Sequence, residues 1–87
     1  MSFIHGEEHL SAGDVVVVDC DHQVNVLLLD DTNFSYYRRG QRFQYHGGFY
    51  DRFPVRITAP STGDWNIVIA LPPGRRANIR YNISVVR

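Results

Sequence analysis

Most of the side chains that could form a binding surface lie in one short stretch, residues 34–53. This stretch holds eight of the eleven aromatic rings and four of the nine arginines in the chain. Rings beside guanidinium groups can stack on bases of single-stranded nucleic acid, stack on sugars, or anchor a protein interface. Some rings could instead be core, because the alternation in residues 41–45 points Phe43 and Tyr45 inward. We expect a contact surface formed by Tyr36, Tyr37, Arg38, Arg39, Arg42 and Tyr45.

Charge is unevenly distributed along a chain whose formal net charge is zero. Seven of the nine carboxylates lie in residues 1–31, which contain no arginine, and all nine arginines follow; there is no lysine. The two halves could neutralise each other as neighbouring strands, or form two poles, one of which meets a phosphate or another subunit. A pI near 6.9 argues against non-specific binding to nucleic acid, which needs an excess of basic charge.

Two patterns suggest metal sites, and neither meets its structural requirement. His5, Glu8 and His9 match the H-x-x-E-H motif of a zinc peptidase family, which needs a helix. Gly6 weakens any helix there, so we expect a frayed or extended segment; if extended, it puts His5, Glu7 and His9 on one face. Calcium is the other metal considered, but turns and strand ends suit the aspartates better: Asp14, Asp19, Asp21, Asp30 and Asp31.

Nothing in the sequence assembles a catalytic centre. The serines are not in a nucleophile-elbow motif, and Cys20 ends an apolar run in which it is expected to be a small buried hydrophobe. We therefore predict that the chain is not an enzyme and uses no cofactor or metal. A single cysteine, no recognisable signal peptide and no apolar stretch of about 20 residues favour a cytoplasmic protein without a membrane segment.

The elements that position these residues are predicted to be strands. Apolar residues alternate with polar ones or form short β-branched runs, and helical periodicity is nearly absent. Strands are predicted over residues 15–20, 24–29, 41–45, 55–59, 65–71 and 79–85. Residues 30–33 are predicted as a loop, and residues 72–74 as a type II turn.

Strands separated by such frequent turns favour a single all-β domain over residues 1–87. We predict an antiparallel β-sandwich or flattened small barrel of about seven strands, jelly-roll or Greek-key-like in its order. The connections are too short for βαβ crossovers. Tyr81 is predicted to point inward. The dry layer between the sheets should contain Val16, Val18, Ile67, Ile69, Ile79 and Ile83.

Several short segments, taken in order, resemble a known family. They are Ala12-Gly13-Asp14 before four valines, the octapeptide at residues 33–40, Gly47-Gly48, Pro54-Val55-Arg56 and Gly63-Asp64-Trp65. Together they resemble a bacterial domain-of-unknown-function family, number 1883, over nearly the whole chain. The resemblance implies a small all-β bacterial domain and carries no activity or catalytic residue. A looser likeness is to small jelly-roll domains that bind sugars or act as accessory modules.

Three classes of function stay open at this point. The leading hypothesis is a non-enzymatic accessory or interaction module whose partner is another protein or a second copy of the chain. The alternative is a ligand-binding module for a carbohydrate or anionic metabolite, which requires a concave, partly exposed aromatic surface. An enzyme would require an acid–base pair, such as His9 or His46 hydrogen-bonded to a carboxylate in a cleft.

Overall fold

The computed structural model describes residues 3–72, 74 and 78–87. Within them the chain forms seven strands and one helix, which lies between the third and fourth strands. The elements are β1 (Ile4–Leu10), β2 (Val15–Cys20), β3 (Val24–Asp30), α1 (Asp31–Arg38), β4 (His46–Tyr50), β5 (Val55–Thr58), β6 (Gly63–Ala70) and β7 (Tyr81–Val86). The turn predicted at residues 72–74 includes residue 73 and therefore lies outside the described residues.

The strands form two antiparallel sheets. One sheet has four strands in the order β1-β6-β3-β4, and the other has three in the order β5-β2-β7. This arrangement confirms the predicted all-β antiparallel sandwich of about seven strands. The finer jelly-roll or Greek-key description stays a prediction.

The main core fills the space between the two sheets, as strand alternation predicts. Val16, Val18, Ile67 and Ile69 are each at most 1% exposed, whereas Ile79 and Ile83 are half-buried and pack against the edge of the same cluster. Fully burying such a side chain contributes about 1.5–3 kcal/mol to folding. Cys20, predicted to be buried, is also half-buried at this edge.

Helix α1 replaces part of the predicted loop at residues 30–33. Asp30 is its N-cap, and its carboxylate accepts a 2.8 Å hydrogen bond from the backbone N–H of Asn33. A helix of eight residues is marginal by itself, so burial must stabilise it. Phe34 supplies that burial, packing on the outer face of the four-stranded sheet. This helix is too short and too polar to span a bilayer, and it is the one helix among the described residues.

The strand predicted at residues 41–45 is wrong, because its backbone binds α1 instead of a neighbouring strand. The N–H of Gln41 donates to the carbonyl of Tyr36 at 2.9 Å, and the N–H of Gln44 donates to the side chain of Asn33 at 2.8 Å. Strand β4 therefore begins only at His46.

Tyr81 was predicted to point inward, but its side chain is 49% exposed. It begins the edge strand β7 and pairs with Cys20, the last residue of β2, so its ring lies at the margin of the core.

Gly47 occupies a position in β4 that only glycine fills without strain. Its φ is 115°, and a Cβ atom built there would collide with the carbonyl oxygen of Val26 on β3. The Gly47-Gly48 pair therefore serves close pairing of β4 with β3.

Candidate functional site

The predicted contact residues lie on α1 and on the extended segment after it. Arg39 is the C-cap of α1. The three arginines are exposed, as are Tyr36 at 38% and Tyr45 at 48%, whereas Tyr37 is half-buried. The six residues are Tyr36, Tyr37, Arg38 and Arg39 at the end of α1, and Arg42 and Tyr45 in the segment 41–45.

The eight clustered rings divide between surface and core. Phe34 is buried and Tyr36, Tyr45 and Phe49 are exposed, while the other four rings are half-buried: Tyr37, Phe43, Tyr50 and Phe53. The second hydrophobic cluster of the protein consists of Phe34, Tyr37 and Phe43 with Phe3, Leu27, Leu29, Val68 and Ala70. It covers the outer face of the four-stranded sheet, so the core interpretation holds for part of the block and the surface interpretation for the rest.

Tyr37 supports this cluster rather than standing free at the surface. Its ring lies 5.2 Å from the ring of Phe3 and 5.2 Å from the ring of Phe43, both in edge-on contacts. Burial raises the pKa of the Tyr37 phenol above its usual value of 10.0.

The arginines of the contact surface have no carboxylate partner among the described residues. Arg38 lies with its guanidinium 5.8 Å from the ring centre of Phe34, within the range of a cation–π contact. The arginine that does form ion pairs within the described chain is Arg87, with Glu8 at 3.7 Å and Asp14 at 3.1 Å. The acidic first third of the chain therefore does not neutralise all of the arginines that follow it. The arginines left without a carboxylate partner form a cationic surface at the end of α1.

A recess with both signs of charge lies beside that surface. It has a volume of about 520 Å³, and we call it the α1 recess; its lining consists of Glu7, Asp31, Phe34, Ser35, Arg38, Arg39 and Asn66. Carboxylates come from β1 and the first turn of α1, and guanidinium groups come from the end of α1. No ion pair joins the two groups across the described residues, although Asp31 Oδ1 accepts a hydrogen bond from Asn66 and Glu7 lies 3.9 Å from His5 Nε2.

A buried polar network holds the three elements of the α1 recess together. Asn66 on β6 is 1% exposed. Its side chain bonds His5 Nε2 on β1 at 2.8 Å, and its amide nitrogen donates to Asp31 Oδ1 at 2.8 Å and the Leu29 carbonyl at 3.3 Å. The His5 ring also stacks on Phe34, with the ring centres 4.1 Å apart. Satisfied networks of this kind fix one arrangement of the elements they join.

The H-x-x-E-H sequence at residues 5–9 lies on strand β1, as predicted for an extended segment. The register of β1 pairs Glu7 with Asn66 and His9 with Asp64, which puts His5, Glu7 and His9 on the outer face. His9 Nδ1 lies 2.9 Å from a carboxylate oxygen of Asp64, in an exposed acidic recess of about 360 Å³. The enzyme hypothesis requires a histidine hydrogen-bonded to a carboxylate in a cleft, and His9 with Asp64 meets that requirement. The hypothesis stays untested, and the described lining of the recess has no serine, threonine or cysteine. No group of histidine, cysteine and carboxylate side chains in the described part of the chain could hold a metal ion.

Four of the five aspartates considered for calcium lie at turns and strand ends, as predicted, whereas Asp31 is the first residue of α1. Asp14 accepts a hydrogen bond from the backbone N–H of Ser11 at 2.9 Å. A hydrogen bond from His22, and then one from the backbone N–H of Arg80, lower the pKa of the exposed Asp21 carboxyl. These partners give Asp14 and Asp21 a structural role.

A family model now identifies the chain. The model described as "Domain of unknown function (DUF1883)" matches residues 1–87, the whole chain. The chain belongs to the DUF1883 family. No curated protein and no solved structure matches this DUF1883 domain.

Sequence reasoning placed the arginines of this DUF1883 domain at the surface and missed the residues that hold the recess. Asn66 stands between Trp65 and Ile67 in a strand, where alternation predicts a polar side chain facing water. It does face outward from the sheet, but α1 covers that face and buries it. Because the sequence analysis did not predict α1, nothing in the sequence indicated that Asn66 would be buried beneath a helix.

Proposed function

We propose that the chain is a non-enzymatic interaction module that self-associates through the α1 recess and the arginines around it. The observation that supports this proposal is the presence of Arg38 and Arg39 with Glu7 and Asp31 in one recess, without an ion pair between them. The proposal includes a bacterial source, which the family resemblance implies, and a cytoplasmic location, which the single cysteine and the lack of a recognisable signal peptide favour.

A surface with both signs of charge is suited to a two-fold interface. In such an interface the same patch is used twice, so residue i of one copy meets residue j of the other and the reverse. Arg38 and Arg39 of one copy would face Glu7 and Asp31 of the second, and each contact would occur twice. Arginine suits this role because its planar fork binds a carboxylate through two parallel hydrogen bonds.

The apolar part of the proposed interface comes from Tyr36. Its ring is 38% exposed and belongs to a residue three positions before Arg39, a spacing that puts two side chains on neighbouring parts of a helix surface. Tyrosine and arginine are enriched among residues that dominate binding energy at interfaces. Arg42 extends the cationic rim on the segment that follows the helix.

The charges also set the expected strength of association. An exposed ion pair contributes about 0.2–1 kcal/mol, so charges alone give weak binding that salt screens further. The dimer should therefore form with rising concentration and dissociate with rising ionic strength. An anionic metabolite is the alternative occupant, and Glu7 and Asp31 in the same recess oppose it.

A charge exchange tests the proposal. Sedimentation velocity is measured for the wild type, for R38E/R39E, for Glu7→Arg and for an equimolar mixture of the two variants. We expect dimer in the wild type, monomer for R38E/R39E alone, and restored dimer in the mixture because the reversed charges again complement each other.

The matched control is Arg56→Glu. Arg56 is exposed on β5, in the other sheet, and makes no ion pair within the described residues. This variant should dimerise like the wild type. A wild type that stays monomeric at every concentration, or an Arg56→Glu variant that loses dimer as fully as R38E/R39E, would contradict the proposal.

A further inference from the structure

A further concave surface lies beside the β3–α1 junction. Its volume is about 430 Å³, within the range of small-molecule sites, and we call it the junction cleft. Its lining consists of residues 43–46 along one side, Asp30 and Asn33 from the junction, and Leu28 and Trp65. The last two are 1% and 7% exposed and therefore form the floor. None of these residues lines the α1 recess.

Hydrogen bonds connect the two sides of the junction cleft and hold its shape. Asp30 Oδ1 accepts hydrogen bonds from the backbone N–H of Asn33 at 2.8 Å and from its side-chain amide at 3.0 Å. Asn33 Oδ1 in turn accepts the backbone N–H of Gln44 at 2.8 Å. The floor is fixed as well, because Trp65 Nε1 donates to the Ser61 carbonyl at 3.0 Å. A cleft held in this way loses little conformational entropy when a ligand binds.

The polar groups that remain in the junction cleft suit hydroxyl groups. Within the described residues no hydrogen bond engages Asp30 Oδ2, the Gln44 side-chain amide or the His46 ring. A carboxylate and an imidazole nitrogen can accept hydrogen bonds from hydroxyls, and an amide can both donate and accept. These groups surround an aromatic surface, since the ring of Tyr45 is 48% exposed and lies 5.4 Å from that of Phe43.

We propose that the junction cleft binds a neutral saccharide. The apolar face of a sugar ring stacks on Tyr45, and its hydroxyls bond Asp30, Gln44 and His46. An anionic ligand does not fit, because the lining contributed by the described residues contains a carboxylate and no arginine. The inference is independent of self-association through the α1 recess.

Trp65 provides a direct assay, because it is the single tryptophan of the chain and lies on the cleft floor. Its fluorescence is recorded while maltose, cellobiose or N,N′-diacetylchitobiose is added, and in a parallel titration with N-acetylarginine amide, a cationic ligand. We expect a saturable change with at least one disaccharide and none with the cation.

Three variants locate the site. Tyr45→Ala removes the stacking surface and should weaken binding about tenfold or more, equivalent to about 1.4 kcal/mol. Asp30→Asn keeps a good helix cap while removing the charge, so the fold persists and binding should fall. Phe49→Ala is the control, because Phe49 is 53% exposed but pairs with Asn25 and does not line the cleft.

Saturable binding that Tyr45→Ala and Asp30→Asn weaken and Phe49→Ala leaves unchanged would support the saccharide site. No saturable response to any of the three disaccharides would overturn it. Saturation by N-acetylarginine amide alone, or equal effects of Tyr45→Ala and Phe49→Ala, would also overturn it.

Discussion

Replacing Asn66 by aspartate changes a buried amide into a carboxylate of nearly the same shape. The amide nitrogen donates to Asp31 Oδ1 at 2.8 Å and to the Leu29 carbonyl at 3.3 Å. In the variant both donors are lost, and a negative charge lies beside the Asp31 carboxylate at a position that is 1% exposed in the wild type. A buried charge without an opposite charge beside it costs about 3–5 kcal/mol, and His5 Nε2, which lies 2.8 Å from this side chain, supplies one only when it is protonated. The total stability of a domain of this length is about 4–13 kcal/mol, so Asn66→Asp should remove a large part of it.

Urea unfolding followed by Trp65 fluorescence measures this loss as a change in the free energy of unfolding. Burial and the neighbouring Asp31 should raise the pKa of the new carboxyl, so the folded variant binds a proton that the unfolded chain has already released. The penalty relative to wild type should therefore be smaller at about pH 5 than at about pH 8, because a protonated carboxyl can again donate to Asp31.

Asn78→Asp is the matched control, because Asn78 is exposed and the same chemical change there should shift stability by no more than about 0.5 kcal/mol. An Asn66→Asp variant within about 1 kcal/mol of this control would contradict the expected loss and would show that the network is open to water.

Three further predictions concern single groups. Gly47→Ala should destabilise by about 2–4 kcal/mol in urea unfolding, because its φ is 115°, whereas Gly63→Ala, where the added Cβ meets nothing within 4 Å, should change little. The Tyr37 phenol should ionise above pH 10.0, measured as the difference between absorbance titrations of the wild type and Tyr37→Phe, and stability should fall as pH rises past 10.0 through its raised pKa; a difference curve centred at or below 10.0 would contradict this. The Asp21 carboxyl should titrate below 3.8 by NMR, its contribution to stability being lost as pH falls through that lowered pKa, and His22→Ala should move the value back toward 3.8; an unchanged value would be contrary evidence.

The sandwich could be predicted because its inner faces follow a period of two. In β2, the buried Val16 and Val18 alternate with half-buried valines. In β6, Ile67 and Ile69 face the inner core and alternate with residues buried on the outer face of the sheet. A short apolar pattern therefore identified each strand. Helix α1 could not be found in this way. Its one buried residue, Phe34, makes no helical period, and its stability depends on the sheet beneath it.

The candidate sites were only partly visible for a related reason. Arginines in a block of rings indicated a surface, and all four of those arginines do lie at the surface. The division of the rings between core and surface depends on α1, so it could not be predicted before the helix was known. Tyr45 was grouped with the arginines but lines the junction cleft instead, because the segment 41–45 binds α1 through Asn33 rather than forming a strand.

Copies of this chain should meet through the end of α1 and β1, and a dilution series of amide NMR spectra would detect that contact residue by residue. From the lowest usable concentration up to about 1 mM, amide shifts of Glu7, Tyr36, Arg38 and Arg39 should move together along one binding curve, while those of β5 stay constant. Added salt should reverse the movement. Spectra that do not change over the whole range, or shifts that change in β5 and not in α1, would contradict the account.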